Sequence, residues 1–324
     1  MIRMKKIKVM IGTDHVGKEF ANNLRGKFNN VEILEAYTKE DIYNFINDVQ
    51  VFFGWPDDKA FEKAKNLKWI ACPGMGIDKI VMYENIKKSN VVITNAPGTH
   101  ITSMADHVIG SIVALTHRFI ETFEDKQKKI WDTEKYSSRI TEISKKTIGI
   151  YGLGAIGREV SKRLIGFDTK NYAIDPNPKF IPENIEECWG QEKLDDLCKI
   201  SNFLIVCAPV TDETRNSLDK NRLSLMPKGS YVIIISRGEI VNELALAELI
   251  KASHIYGASI DATAVEPLPR KSPLWGLKNV IITPHSSALT PELYEMRRNI
   301  FTSNLEKFLS NKSLDYVCDK ITGV

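Results

Sequence analysis

Thr147-Ile148-Gly149-Ile150-Tyr151-Gly152-Leu153-Gly154-Ala155-Ile156-Gly157 is the stretch on which the reading of the fold turns. Its apolar first half, Thr147 to Tyr151, predicts a buried strand, and a helix is predicted to run from about Ala155 to Ile165. Between them the glycines stand at Gly-x-Gly-x-x-Gly spacing, the context in which that motif has meaning. Gly152 permits a tight turn, Gly154 lets backbone approach a pyrophosphate, and Gly157 lets the helix pack on the strand. The helix opens at Ala155 and Ile156, whose free N–H groups and positive dipole end suit phosphate oxygens. A turn of this kind can also be purely structural, or can hold S-adenosylmethionine. The third glycine and the helix directly behind it favour a dinucleotide.

The next strand ends at Asp175, eighteen residues past Gly157. A carboxylate at that tip accepts hydrogen bonds from ribose hydroxyls and repels a 2′-phosphate. Pro176-Asn177-Pro178 carries no arginine and the first base is Lys179, so NAD is expected rather than NADP. Further strands are expected at Asn171–Ile174, Phe203–Cys207, Tyr231–Ile235, Tyr256–Ile260 and Val280–Ile282. With Thr147–Tyr151 these make six, enough for a doubly wound parallel sheet. Upstream, short apolar runs at Ile7–Ile11, Val31–Ala36, Val51–Trp55, Trp69–Cys72 and Val91–Thr94 alternate with helical patterns such as Lys18–Lys27 and Asp57–Asn66. They predict a second parallel α/β unit. Asn95-Ala96-Pro97-Gly98 is a turn signal, followed by one long helical pattern from about Thr102 to Lys128. Thr290-Pro291 reads as an N-cap with proline at the first helical position, opening a helix to about Leu309. The expected division is therefore residues 1–98 with 290–324 in one discontinuous domain, and 99–289 in a dinucleotide-binding domain.

Composition agrees with two globular domains: 324 residues, 43% hydrophobic and 26% charged. Forty-four basic residues against 41 acidic ones leave a net charge of +3, too small to imply a nucleic-acid partner. Basic pairs such as Lys5-Lys6 and Lys145-Lys146 read as solvated faces. The five cysteines include no Cys-x-x-Cys pair, which suggests reduced thiols in the cytoplasm, with Cys207 buried in an apolar run. Met1 to Gly12 holds no apolar stretch of signal-peptide length, and no run of eighteen apolar residues predicts a membrane span. His100 and His107 lie seven apart, and a metal site would need more ligands converging on them, so none is expected. Trp55 could line a ligand site or pack at its rim.

Three polar residues follow successive predicted strands: Arg237 after Tyr231–Ile235, Glu266 in the loop after Ile260-Asp261, and His285 after Val280–Pro284. Ligands of doubly wound sheets bind at the carboxyl ends of strands, so all three are expected beside the cofactor. Taken singly, each also fits a loop hydrogen bond or a surface ion pair.

From about Trp69 to Pro291 the chain resembles the D-isomer-specific 2-hydroxyacid dehydrogenases, of the glyoxylate/hydroxypyruvate reductase kind. The motifs that carry the resemblance are Gly152 to Gly157, Ser236-Arg237-Gly238, Glu266-Pro267-Leu268-Pro269 and Thr283-Pro284-His285, in that order and spacing. The resemblance implies a Rossmann domain, a discontinuous flavodoxin-like α/β substrate domain and a homodimer. It also implies NAD(P)-dependent interconversion of 2-oxo acids and D-2-hydroxy acids. His285 then matches the acid/base, Glu266 its carboxylate partner and Arg237 the substrate-binding arginine. Asp261 matches the residue that orients the nicotinamide carboxamide. Met75 and Gly76 resemble the loop whose N–H groups hold the substrate carboxylate. Pro209, Thr211 and Thr214 match the loop beside the cofactor's inner half, and Trp131-Asp132 falls in the dimer-forming extension. Two positions depart from the family pattern, Ala105-Asp106-His107 and Ile234, and neither removes a catalytic group.

The chemistry asks for the same residue types. Hydride addition to a ketone leaves negative charge on oxygen, which needs a proton donor effective near neutral pH, as histidine is. A neighbouring carboxylate fixes the ring, and a guanidinium binds carboxylate as a two-pronged fork. Two other readings are an NADPH-dependent reductase on the same fold and a non-catalytic, nucleotide-sensing protein of the corepressor type. The chain's end soon after the returning helix is expected to leave no room for the regulatory domain of extended phosphoglycerate dehydrogenases. That leaves glyoxylate, hydroxypyruvate, pyruvate and branched 2-oxo acids as candidate substrates.

Overall fold

The computed structural model describes residues 6–17 and 19–321. Lys5, Lys18, the start of Met1–Gly12 and residues 322–324 of the expected first domain lie outside the described residues. The chain divides into two compact units, one running to His100 and resuming at Thr290, the other spanning Ile101–Leu289.

In the first unit the strands are β1 (Ile7–Ile11), β2 (Val31–Glu35), β3 (Val51–Phe53), β4 (Trp69–Ala71) and β5 (Val92–Thr94). They pair in the order β2-β1-β3-β4-β5, parallel throughout, which is the flavodoxin-like order. Side chains of successive strand residues point to opposite faces, and this sets the two cores. Val9, Ile11, Val51 and Phe53 enter one cluster with Phe20 and Phe301, while Met10 and Phe52 enter the other with Ile46 and Ile77. Phe301 sits on the helix Pro291–Leu309, whose N-cap Thr290 accepts from the Leu293 N–H at 3.2 Å, with proline in the first turn. This helix carries the chain's return to the first unit.

The second unit holds β6 (Thr147–Tyr151), β7 (Lys170–Ile174), β8 (Ile185–Trp189), β9 (Phe203–Val206), β10 (Ser230–Ile234), β11 (Ile255–Ile260) and β12 (Val280–Ile282). All are parallel, in the order β12-β11-β10-β9-β6-β7-β8. Strands β9 and β10 are buried along their whole length, as expected of a sheet covered by helices on both faces. Phe203, Ile205, Tyr231 and Ile233 point to one face, and Leu204, Val206, Val232 and Ile234 to the other.

Two sequence expectations change. Seven strands form here rather than six, because β8 (Ile-Glu-Glu-Cys-Trp) is an edge strand with only Ile185 fully buried and too few inward apolar residues to show. The long helix predicted from Thr102 to Lys128 is two helices, Ile101–Thr116 and Phe119–Gln127. Arg118 breaks it with a left-handed backbone, φ 60°, and turns its guanidinium inward, donating from Nε to the Arg139 carbonyl at 3.0 Å.

Candidate active site

The glycine turn follows β6 as the spacing requires. Gly152 has φ 98°, and a Cβ there would strike the backbone of Ala208. A Cβ on Gly157 would drive into the Gly152 carbonyl oxygen, so the helix Ala155–Leu164 can lie against the strand only with glycine at this place. The Cα of Gly154 faces open space, the cradle a pyrophosphate needs. Asp175, at the tip of β7, accepts from the Leu153 N–H and the Asn177 N–H at 3.0 Å each. Its carboxylate thus braces the glycine turn, and a carboxylate has further acceptor capacity for ribose hydroxyls. On the far side of β6, Thr214 closes the Pro209–Thr214 loop by accepting from the Thr211 N–H and donating to the Pro209 carbonyl, both at 2.7 Å. The residues present fit a dinucleotide.

Arg237, Glu266 and His285 all emerge from carboxyl ends of neighbouring strands, β10, β11 and β12. The structure brings two of them into direct contact: His285 Nδ1 lies 2.8 Å from Glu266 Oε1, both side chains part-exposed. Glu266 Oε1 also accepts from the Thr263 N–H at 3.4 Å. With Nδ1 engaged, Nε2 is the ring nitrogen left for a reacting group, and it makes no hydrogen bond among the described residues. Arg237 is extended and donates from Nη1 to the Ser236 carbonyl at 2.9 Å.

His285 itself has φ 51°, a left-handed conformation that costs a non-glycine residue on the order of 1 kcal/mol or more. Asp261, 1% exposed, holds it there. Its Oδ1 accepts from Thr283 Oγ1 at 2.6 Å, from the Ser286 N–H at 2.9 Å and from the Ser287 N–H at 3.1 Å. Its Oδ2 accepts from Ser287 Oγ, and its carbonyl accepts from the His285 N–H at 2.9 Å. Sequence reasoning missed Thr283, Ser286 and Ser287. Their one signal is the cluster of hydroxyl residues around a histidine just past a strand. It also missed Glu243, half-buried, whose Oε1 accepts from the Ala264 N–H at 2.6 Å and steadies the loop carrying Glu266. Burial raises the Glu243 carboxyl above its ordinary range, and the charges of Glu239 and Glu266 push the same way.

In the first unit, the loop after β4 carries Met75 and Gly76. Its carbonyls are pinned: Asn95 Nδ2 donates to Met75 O at 2.8 Å and the Ala96 N–H to Gly74 O at 2.9 Å. The N–H groups of Met75 and Gly76 donate to nothing among the described residues. The Trp55 ring packs beside Gly74 and is 37% exposed. Trp131 is 96% exposed. No group of three or more His, Cys, Asp or Glu placed to hold a metal occurs among the described residues.

Residues 109–287 match the NAD binding domain of the D-isomer specific 2-hydroxyacid dehydrogenases. A glyoxylate reductase of Thermofilum pendens is 32% identical over 251 residues, covering 77% of this chain and 74% of that protein. The chain belongs to the D-isomer-specific 2-hydroxyacid dehydrogenase family. A D-3-phosphoglycerate dehydrogenase of Methanocaldococcus jannaschii is 31% identical over 294 residues, 89% of this chain. The chain spans only 55% of that protein's length. Among solved structures, the NAD-dependent formate dehydrogenase from Staphylococcus aureus in complex with NAD superposes with a TM-score of 0.82. It is 25% identical, with 97% of this chain and 98% of that one covered. Membership in the 2-hydroxyacid dehydrogenases agrees with the doubly wound seven-stranded sheet and the glycine turn that follows β6 within it.

Proposed function

We propose that the protein is an NAD-dependent oxidoreductase that reduces a 2-oxo acid to the D-2-hydroxy acid, with His285 as acid/base. The observation that carries this reading is the 2.8 Å contact between His285 Nδ1 and Glu266 Oε1 at the carboxyl ends of neighbouring strands. A bound nicotinamide dinucleotide would supply the hydride. Gly152, Gly154, Ala155, Ile156 and Gly157 would hold its pyrophosphate and Asp175 its ribose. Pro209, Thr211 and Thr214 would flank its inner half. Asp261, matched above to the carboxamide of the nicotinamide, is buried with both oxygens engaged and acts here by holding the loop that carries His285.

Glu266 fixes the imidazole so that Nε2 presents a proton to the ketone oxygen as negative charge develops there. Proton transfer of this kind is worth about 100- to 10,000-fold. Arg237 binds the substrate carboxylate and polarises the ketone, which its planar fork does better than an ammonium. The N–H groups of Met75 and Gly76 are assigned the substrate carboxylate as well, as their lack of other acceptors suits. NAD is preferred to NADP because Asp175 is a carboxylate and no arginine follows it within Pro176-Asn177-Pro178. A homodimer in the cytoplasm is part of the proposal. The 96% exposed Trp131 and the exposed Phe119 and Phe123 offer apolar area for a second copy, and five unpaired thiols suit a reducing compartment.

The test is a panel of glyoxylate, hydroxypyruvate, pyruvate, branched 2-oxo acids and the oxidation product of 3-phosphoglycerate, each with NADH and with NADPH. Turnover with NADH on at least one acid is expected. Tight NADH binding with no turnover on any of them would replace the reductase with a nucleotide sensor.

A further inference from the structure

The amino ends of β6, β9, β10 and β11 border a cavity of about 450 Å³. It lies at the opposite end of the sheet from Gly152, Arg237 and Asp261, which follow or close the carboxyl ends of the same strands. At about 3.3 Å rise per residue, the strand length alone separates the two ends by roughly 15 Å. A ligand here would not share the cofactor's crevice.

Three cations line this cavity, Arg139, Lys146 and Lys228, and no carboxylate does among the described residues. Neither lysine has an acidic partner within ion-pair distance among those residues. The charge of Arg139 is matched by a carboxylate outside the lining, Glu121. Glu121 pairs with Arg139 at 2.6 Å and lies 3.8 Å from Nη1 of Arg118. Arg118 lies outside the lining and backs it: 4% exposed, it stacks its guanidinium 3.9 Å from the centre of the Tyr256 ring, which is part of the cavity wall. Tyr231, on the same wall and only 2% exposed, buries its hydroxyl beside Thr141 with no hydrogen bond of good geometry.

A buried hydroxyl without a well-formed bond is costly, and a water could satisfy it. Water does not answer the surplus of positive charge, whereas an anion with several oxygens answers both. We propose that this cavity binds a compact oxyanion, inorganic phosphate or the phosphate group of a small metabolite. Bound there, the anion would join the segment from Ser138 to Thr141 to the amino ends of β9, β10 and β11, residues that line one wall together.

Isothermal titration of the full chain with inorganic phosphate at constant ionic strength, beside Lys228→Gln and Tyr231→Phe, tests this. Lys228 is exposed and the Tyr231 hydroxyl makes no well-formed bond within the fold, so both variants should fold. Each is expected to weaken phosphate binding by roughly three- to tenfold, the loss of one hydrogen bond or charge contact. Phosphate held by the glycine turn would be untouched by either substitution, so the comparison isolates the new site. A parallel titration with methyl phosphate separates the two sources: tighter binding of the ester favours a metabolite, equal or weaker binding favours the free ion. No saturable binding to the wild type overturns the proposal. So does binding unchanged in both variants, which would be an adventitious ion only.

Discussion

His285 holds its ring against Glu266 from a backbone conformation that glycine adopts freely and histidine does not. Such a residue is placed by its surroundings, so its role should be sensitive to the partner's charge rather than its bulk. Glu266→Gln keeps the shape and loses the charge. It is expected to lower kcat by roughly 10- to 100-fold with little change in NADH affinity, a loss within the range of a disabled acid/base. Steady-state rates together with nucleotide fluorescence titration measure both. Arg237→Lys should raise KM for the 2-oxo acid and lower kcat, because an ammonium cannot reproduce the fork. A normal kcat/KM would show that the carboxylate is held elsewhere. Sequence alone singled out Arg237, Glu266 and His285, because each follows a strand at the sheet's carboxyl edge. It could not show which atoms meet. Neither could it show that Asp261, read as a cofactor residue, spends both oxygens on Thr283, Ser286 and Ser287.

The loop from Thr283 to Ser287 behaves as one element, tied at several points to one buried carboxylate. Asp261→Asn should therefore release it, lowering kcat and stability together, since an amide cannot accept on both atoms. Ser287→Ala removes one of those bonds and should cost about 1 kcal/mol in urea unfolding, with a smaller loss of rate. Equal rates in both variants would show that the loop is held by other means. At the other end of the same segment, Thr290→Ala should cost about 1 kcal/mol through the lost cap of the helix Pro291–Leu309. This cap was legible because Thr-Pro is a strong helix-start signal. The break at Arg118 was not. The apolar period runs on through it, and what stops the helix is a buried guanidinium stacked on Tyr256, a residue 138 positions later in the sequence. Strand β8 was hidden for the converse reason: at the sheet edge, Glu186 and Glu187 face outward and dilute the apolar pattern.

For the whole molecule, burial shields the thiols, fully at Cys72, Cys198 and Cys318 and partly at Cys188 and Cys207. It pushes Cys72, Cys198 and Cys207 up to about 12 from an ordinary value of 9.0, and raises Cys188 and Cys318 too. The unfolded chain releases these protons near pH 9 and the folded one only near pH 12. The stability they lend is therefore complete below about pH 9 and is lost as pH rises towards 12. The urea midpoint should fall between pH 8 and pH 10, and iodoacetamide at pH 8 should modify the thiols far faster in urea than in the native protein. Sequence periodicity made both parallel sheets readable, since strands covered on two faces are continuously apolar. The cavity among Arg139, Lys146 and Lys228 was not readable, because those residues converge from separate loops and Lys145-Lys146 reads as a solvated pair. The central claim concerns turnover by the intact chain, and His285→Gln tests it most directly. Single-turnover oxidation of bound NADH by the best 2-oxo acid of the panel is compared in wild type and variant, with NADH affinity measured in each. A rate loss of about 100- to 10,000-fold at unchanged NADH affinity is the predicted result, and a variant that turns over at the wild-type rate would contradict it.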